Sequence, residues 1–165
     1  MASETTIISI DAMGGDHGPS VTVAGVQDYL RRSGADIRFL LHGDETRIAA
    51  EAQRLGLSPA VYEIRHADKV VAMDEKPAQA LRRGKGSSLW NALEAVKTGE
   101  AQAAVSAGNT GALMAMSKLI LRMAALVVLC RDEDDEAPVR VFARELAAEG
   151  GRVLLSIPNT GYAGL

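Results

Sequence analysis

Two short stretches hold residue types that can do chemistry. In Ser9–Pro19, "SIDAMGGDHGP", Asp11, Asp16 and His17 surround Gly14 and Gly15, between an apolar β-branched run and a proline. Glycine there lets a ligand approach the main chain, and successive N–H groups of such a turn form a concave anion nest. A helix opening at Pro19 adds unpaired N–H donors and a partial positive charge. The combination suits a phosphate or a developing oxyanion. Asp16 can cap the helix or hold the loop; Asp11 can order its neighbours or act directly. His17 can serve as a base, as a donor to phosphate or as a plain turn residue.

The second stretch, "VSAGNTGALMA" at 105–115, repeats the physics: Ser106, Gly108, Asn109, Thr110 and Gly111 lie between a strand and a helix. Its simplest role is a helix cap made by Asn109 or Thr110. A third helix start, "GSS" at 86–88, brings Ser87 with Lys85 beside it, and His66 ends another strand. The first loop is not a dinucleotide fingerprint, because its glycines stand at 14, 15 and 18, and no G-K-[ST] of a Walker loop follows. The crowded acids and histidine match no standard metal-ligand spacing, so no metal is expected.

Composition narrows the classes further. The 165 residues are 47% hydrophobic, 24% charged and 4% aromatic, with a formal charge of −3. Few aromatics and a net negative charge argue against nucleic acid as a partner. The single Cys130 excludes an intrachain disulfide and reads as a buried, inert thiol. With no basic-then-apolar leader and no apolar run near the ~18 residues of a membrane span, a cytoplasmic location is expected.

The elements that must position these loops alternate. Strands are predicted at 6–10, 37–43, 60–68 and 101–108. Helices are predicted from Pro19 to a stop at Gly34, and over 44–56, 77–83, 87–99 and 109–124. Met114, Met116 and Met123 of the last helix read as core filler. Such alternation predicts a parallel sheet with helices on both faces and ligands bound just past the strand C-termini.

"IDAMGGDHGP" and "HADKVVAMDEKPAQALRRGKGSSLWNALEAVKTGEAQAAVSAGNTGALMA", with the spacing between them, closely resemble the PlsX-type phosphate acyltransferases, from about Ile7 to Arg122. The resemblance implies a Rossmann-like three-layer α/β/α sandwich with a mostly parallel sheet. It also implies transfer of a fatty acyl group from acyl-acyl carrier protein to inorganic phosphate, for phospholipid synthesis. No cofactor is implied; a homodimer and peripheral association with the inner membrane are. On this footing the catalytic candidates are Asp11, Asp16, His66, Lys85 and Asn109. The phosphate-binding candidates are Gly14, Gly15, His17, Ser87, Ser106, Gly108, Thr110 and Gly111. The family's motif admits Asn at the position of His17, so His17 is not an obligatory base.

Residues 123–165 do not resemble the family, and the chain reads as shortened relative to it. Residues 131–165 carry seven acids and four arginines. The division expected is a family-like domain over 1–125 and a divergent tail over 126–165. The tail reads as strand (126–130), acidic loop (132–136), helix (138–149) and strand (152–157), packed on the same sheet. "SIPNTG" near the end is a weak echo of "SAGNTG". Three functions therefore stand side by side: an acyltransferase, a phosphate-binding remnant without turnover, and an unrelated phosphate- or nucleotide-binding module.

Overall fold

The computed structural model describes residues 5–33, 36–121, 126–129 and 153–156. Six strands form one sheet: β1 (Thr6–Asp11), β2 (Ile37–Gly43), β3 (Tyr62–His66), β4 (Ala103–Ser106), β5 (Leu126–Leu129) and β6 (Val153–Ser156). Their order is β3-β2-β1-β4-β6-β5, and every pairing is parallel. The helices are α1 (Pro19–Ser33), α2 (Glu45–Leu55), α3 (Pro77–Arg83), α4 (Ser88–Lys97) and α5 (Thr110–Leu121).

Side-chain alternation along each strand feeds two separate cores. Ile10, Phe39 and Leu41 pack with Val23 and Val26 of α1 and Ile48 and Ala52 of α2. Leu40 and Ala104 point the other way, onto Ala80 of α3, Leu89 and Leu93 of α4, and Leu113 and Met116 of α5. The result is a three-layer α/β/α sandwich, because a parallel sheet must cover both faces with its crossover helices.

Local signals set the helix ends. Asp44 caps α2 by accepting from Arg47 N at 3.0 Å, and Gly56 closes it in the left-handed region at φ 66°. Ser87 caps α4 by accepting from Trp90 N at 3.2 Å. The third strand is shorter than 60–68, because a 3₁₀ turn at Pro59–Val61 takes its start. In α5, Met116 is buried core as expected, but Met114 faces outward at 53% exposure. The helix expected over 138–149, the acidic loop, Cys130, Met123 and Gly34 lie outside the described residues.

Removing a core side chain should cost far more than removing a cap. Leu93→Ala, at a fully buried position, is expected to lose about 2–5 kcal/mol. Asp44→Ala should lose about 1 kcal/mol. Urea denaturation of both variants measures the difference.

Candidate functional site

Neighbouring strands β1 and β4 send their chains to opposite faces: β1 leads to α1, β4 to α5. This divergence opens a crevice at their C-terminal ends, the usual ligand position of an open parallel sheet. The loops leaving them are the two glycine turns singled out from the sequence.

The turns touch. A Cβ on Gly14 would lie 2.8 Å from both Asp11 Oδ2 and Gly108 N; one on Gly108 would lie 3.3 Å from Gly14 Cα. No side chain fits at Gly14, and one at Gly108 would have to push its neighbours aside. Gly15 follows at φ 84°, a conformation that favours glycine. Beneath the contact, Ser106 Oγ donates to Asp11 Oδ2 at 2.8 Å and accepts from Gly108 N at 3.0 Å. Thr22 Oγ1, in the first turn of α1, donates to Ala12 O at 2.8 Å and holds the first loop onto its helix.

Asp11 is 3% exposed. Burial raises its pKa; the Ser106 hydroxyl and the Met13 and Gly14 main chain pull it the other way. Ser106, Asp11, His42 and Arg65 stand in register across β4, β1, β2 and β3. His42, which the sequence reading passed over, is buried, with its Nε2 2.9 Å from Ser9 Oγ. Its pKa falls to about 4, through burial first and the Arg65 charge second, against an opposing pull from Glu100. Asp11 Oδ1, His42 Nδ1 and Ser88 Oγ are buried without a hydrogen-bond partner among the described residues. The signal for this polar seam was available: Ser9 and Asp11 alternate on one face of an otherwise apolar strand.

Asn109 is a cap and a clamp. Its Oδ1 accepts from Ala112 N at 2.9 Å, at the start of α5. Its Nδ2 donates to the carbonyls of Ala72, Met73 and Glu75 at 3.1, 3.0 and 2.7 Å. Gly111, where a Cβ would lie 2.9 Å from Pro77 Cγ, seats α3 against the same turn. Thr110 is half-buried beside it, while Asp16 and His17 stand exposed on the first turn.

Other candidates are spread along the edge. Ser87 is buried as the cap of α4, and Lys85 is exposed just before it. His66 lies on β3, two strands from β1, or about 10 Å at the usual strand spacing. Its Nδ1 accepts from Glu45 N at 3.4 Å and its Nε2 pairs with Asp68 Oδ1 at 2.8 Å. The hydrogen bond to Asp68 raises its pKa. His66 thus serves the start of α2, apart from the two turns. No cluster of metal-ligating side chains occurs among the described residues.

The two buried groups give opposite pH dependences. Between pH 6.5 and about 4 the unfolded chain protonates His42 and the folded chain does not. Stability should therefore fall as pH drops through that window, by about 3 kcal/mol at most. His42→Gln should flatten that limb in denaturation curves. Asp11, with its raised value, stabilises at low pH, and the contribution is lost as pH rises from 3.8 through its folded value. Asp11→Asn should therefore be more stable than wild type at pH 7, a gain that closes on acidification.

Comparison with known proteins moves the end of the family-like part past the expected boundary at Arg122. The profile of the family described as "Fatty acid synthesis protein" matches residues 6–128, past Arg122 and into β5. A phosphate acyltransferase of Caulobacter vibrioides is 63% identical over 123 residues, 74% of this chain and 34% of its own. Those of Phenylobacterium zucineum and Parvibaculum lavamentivorans are 60% and 59% identical, over 74% and 70% of this chain and 35% and 32% of theirs. The chain thus spans about a third of the length of these curated relatives. The EutD phosphotransacetylase of Staphylococcus aureus aligns over 92% of this chain and 67% of its own at 13% identity, with a TM-score of 0.39, too low to read a shared fold from it. The profile match and the paired glycine turns agree: this chain belongs to the fatty acid synthesis protein family, and its curated relatives are phosphate acyltransferases.

Proposed function

We propose that this chain carries the phosphate-binding edge of a phosphate acyltransferase, which moves a fatty acyl group from acyl-acyl carrier protein to inorganic phosphate. The observation that carries the reading is the contact of the two glycine turns over Asp11, at the strand ends where ligands of this fold class sit.

In this reading phosphate is itself the nucleophile, so no serine or cysteine is acylated. A phosphate oxygen adds to the thioester carbonyl carbon. The tetrahedral oxyanion collapses, the C–S bond breaks, the thiolate leaves and acyl phosphate remains. Main-chain N–H groups of the two turns, other than the Gly14 and Gly108 amides already bonded to Asp11 O and Ser106 Oγ, hold phosphate and oxyanion, and such fixed donors need no reorganisation as charge develops. His17 and Thr110 border the cradle, with Asp16 on the rim of the first turn and Lys85 at the α4 start.

Asp11 and Asn109 act through the main chain in this scheme. Asp11 ties Ser106 and Gly108 below Gly14. Burial pushes its pKa up, which lessens the repulsion that a carboxylate under a phosphate would bring. Asn109 joins the second turn to the 72–75 loop. His66 positions the α2 start. The reading includes a cytoplasmic homodimer with peripheral membrane contact; no helix among the described residues is long and apolar enough to cross a membrane. A second reading, phosphate binding without turnover, rests on the same contact of the two turns.

Trapping acyl phosphate with hydroxylamine, from palmitoyl-acyl carrier protein and phosphate, separates the two. Product that saturates with phosphate is expected. Its absence, with phosphate shifts at the glycine amides by NMR, leaves the binding reading alone; neither signal ends both. Gly15→Ala and Asn109→Ala should each reduce kcat/KM for phosphate by about 10²-fold, and unchanged phosphate dependence would remove the cradle.

A further inference from the structure

One cation reaches the first glycine turn from a separate element, and the sequence reading passed over it. Helices α1 and α2 follow the neighbouring strands β1 and β2 and cover the same face, so both begin at the edge where the turns lie. Arg47 stands in the first turn of α2, exposed. A Cβ on Gly18, at the end of the first glycine turn, would lie 3.6 Å from Arg47 Nη2. The guanidinium therefore sits where that turn passes into α1. The ion pairs among the described residues leave Arg47 out.

This is a poor place for a cation by itself. A helix start carries partial positive charge. Asp44 and Glu45 offset it for α2, whereas α1 has no acid in its first turn. The main chain is also short of donors here: Gly14 N is bonded to Asp11 O, Pro19 has no N–H, and the Val21 and Thr22 amides give to Gly18 O. A guanidinium offers parallel N–H donors and a full charge, which match two oxygens of one phosphate.

We propose that Arg47 is a phosphate-binding residue, whose guanidinium holds inorganic phosphate against the first glycine turn from the α2 side. This rests on the phosphate-binding reading of the turns and supplies the side-chain charge that the main chain lacks. Phosphate between the guanidinium and the α1 start replaces one repulsive contact by two attractive ones. Arg47 takes two of its oxygens; the others remain for the main-chain N–H groups and for attack on the thioester.

Calorimetric titration of the whole chain with inorganic phosphate tests this. Arg47→Gln should weaken binding about tenfold. Arg47→Lys keeps the charge without the fork and should weaken it about threefold. Arg54→Gln, in the last turn of the same helix and paired with Glu51, should leave it within about twofold. Phosphate should also move the Nε–H resonance of Arg47 in proton–nitrogen spectra and leave that of Arg54 in place. Equal affinity in wild type and Arg47→Gln, with the Arg47 resonance unmoved, overturns the assignment and leaves the main-chain cradle standing. Equal loss in Arg47→Gln and Arg54→Gln overturns it too, as a general effect of charge. Wild type that binds no phosphate ends Arg47 and the cradle together. Acyl phosphate trapped with hydroxylamine judges acyl transfer separately. If wild type turns over, Arg47→Gln should raise KM for phosphate by the factor seen in binding and change kcat little. If wild type makes no acyl phosphate yet loses phosphate affinity on Arg47→Gln, acyl transfer fails and the Arg47 assignment stands.

Discussion

The contact between Gly14 and Gly108, with the Asp11 carboxyl beneath it, is the constraint on which the rest of this edge depends. Two main chains approach more closely than any side chain permits, and a serine hydroxyl bridges them by donating to an acid and accepting from an amide. Either loop alone would be an ordinary strand-to-helix turn. Together they share one hydrogen-bond chain, so the position of the second turn is set by an acid on the first strand. Burying that acid carries a desolvation cost, which the folded chain lessens by favouring the protonated form.

The sheet makes this arrangement available. Because α1 and α5 leave adjacent strands toward opposite faces, the two loops meet side by side at the ends of β1 and β4 before their helices part. The two cores fix strand spacing and register, and register brings Ser106, Asp11 and His42 side by side. The polar seam they form lies on the face covered by α4, whose first turn contributes the buried Ser88. Three polar atoms there lack partners among the described residues. Such cost is retained more readily at a working edge than in a core built only for stability.

Support for the second turn comes from far along the chain. Asn109 holds three carbonyls of the 72–75 loop while capping α5, so α3 and the loop before it move with the turn. His66 shows the opposite case. It ends its strand on the same edge, but its ring is taken up by Asp68 and the α2 main chain, two strands away.

Much of this was legible before any coordinates. Apolar runs ending at Asp11 and Gly43, the helix starts at Asp44 and Ser87, and the strand–turn–helix alternation follow from local preferences acting over a few residues. The family resemblance followed from the same loops. Local preference said nothing about His42 or Ser88, whose surroundings depend on strand order and on which helix covers which face. It also left Asn109 as a plain cap, because the loop it clamps lies more than thirty residues away. The sequence by itself determined the elements, their ends and the glycine turns, since those depend on backbone preference and side-chain period. Only the tertiary structure decided that the turns meet over Asp11, because register and neighbouring strands come from packing two cores against one sheet.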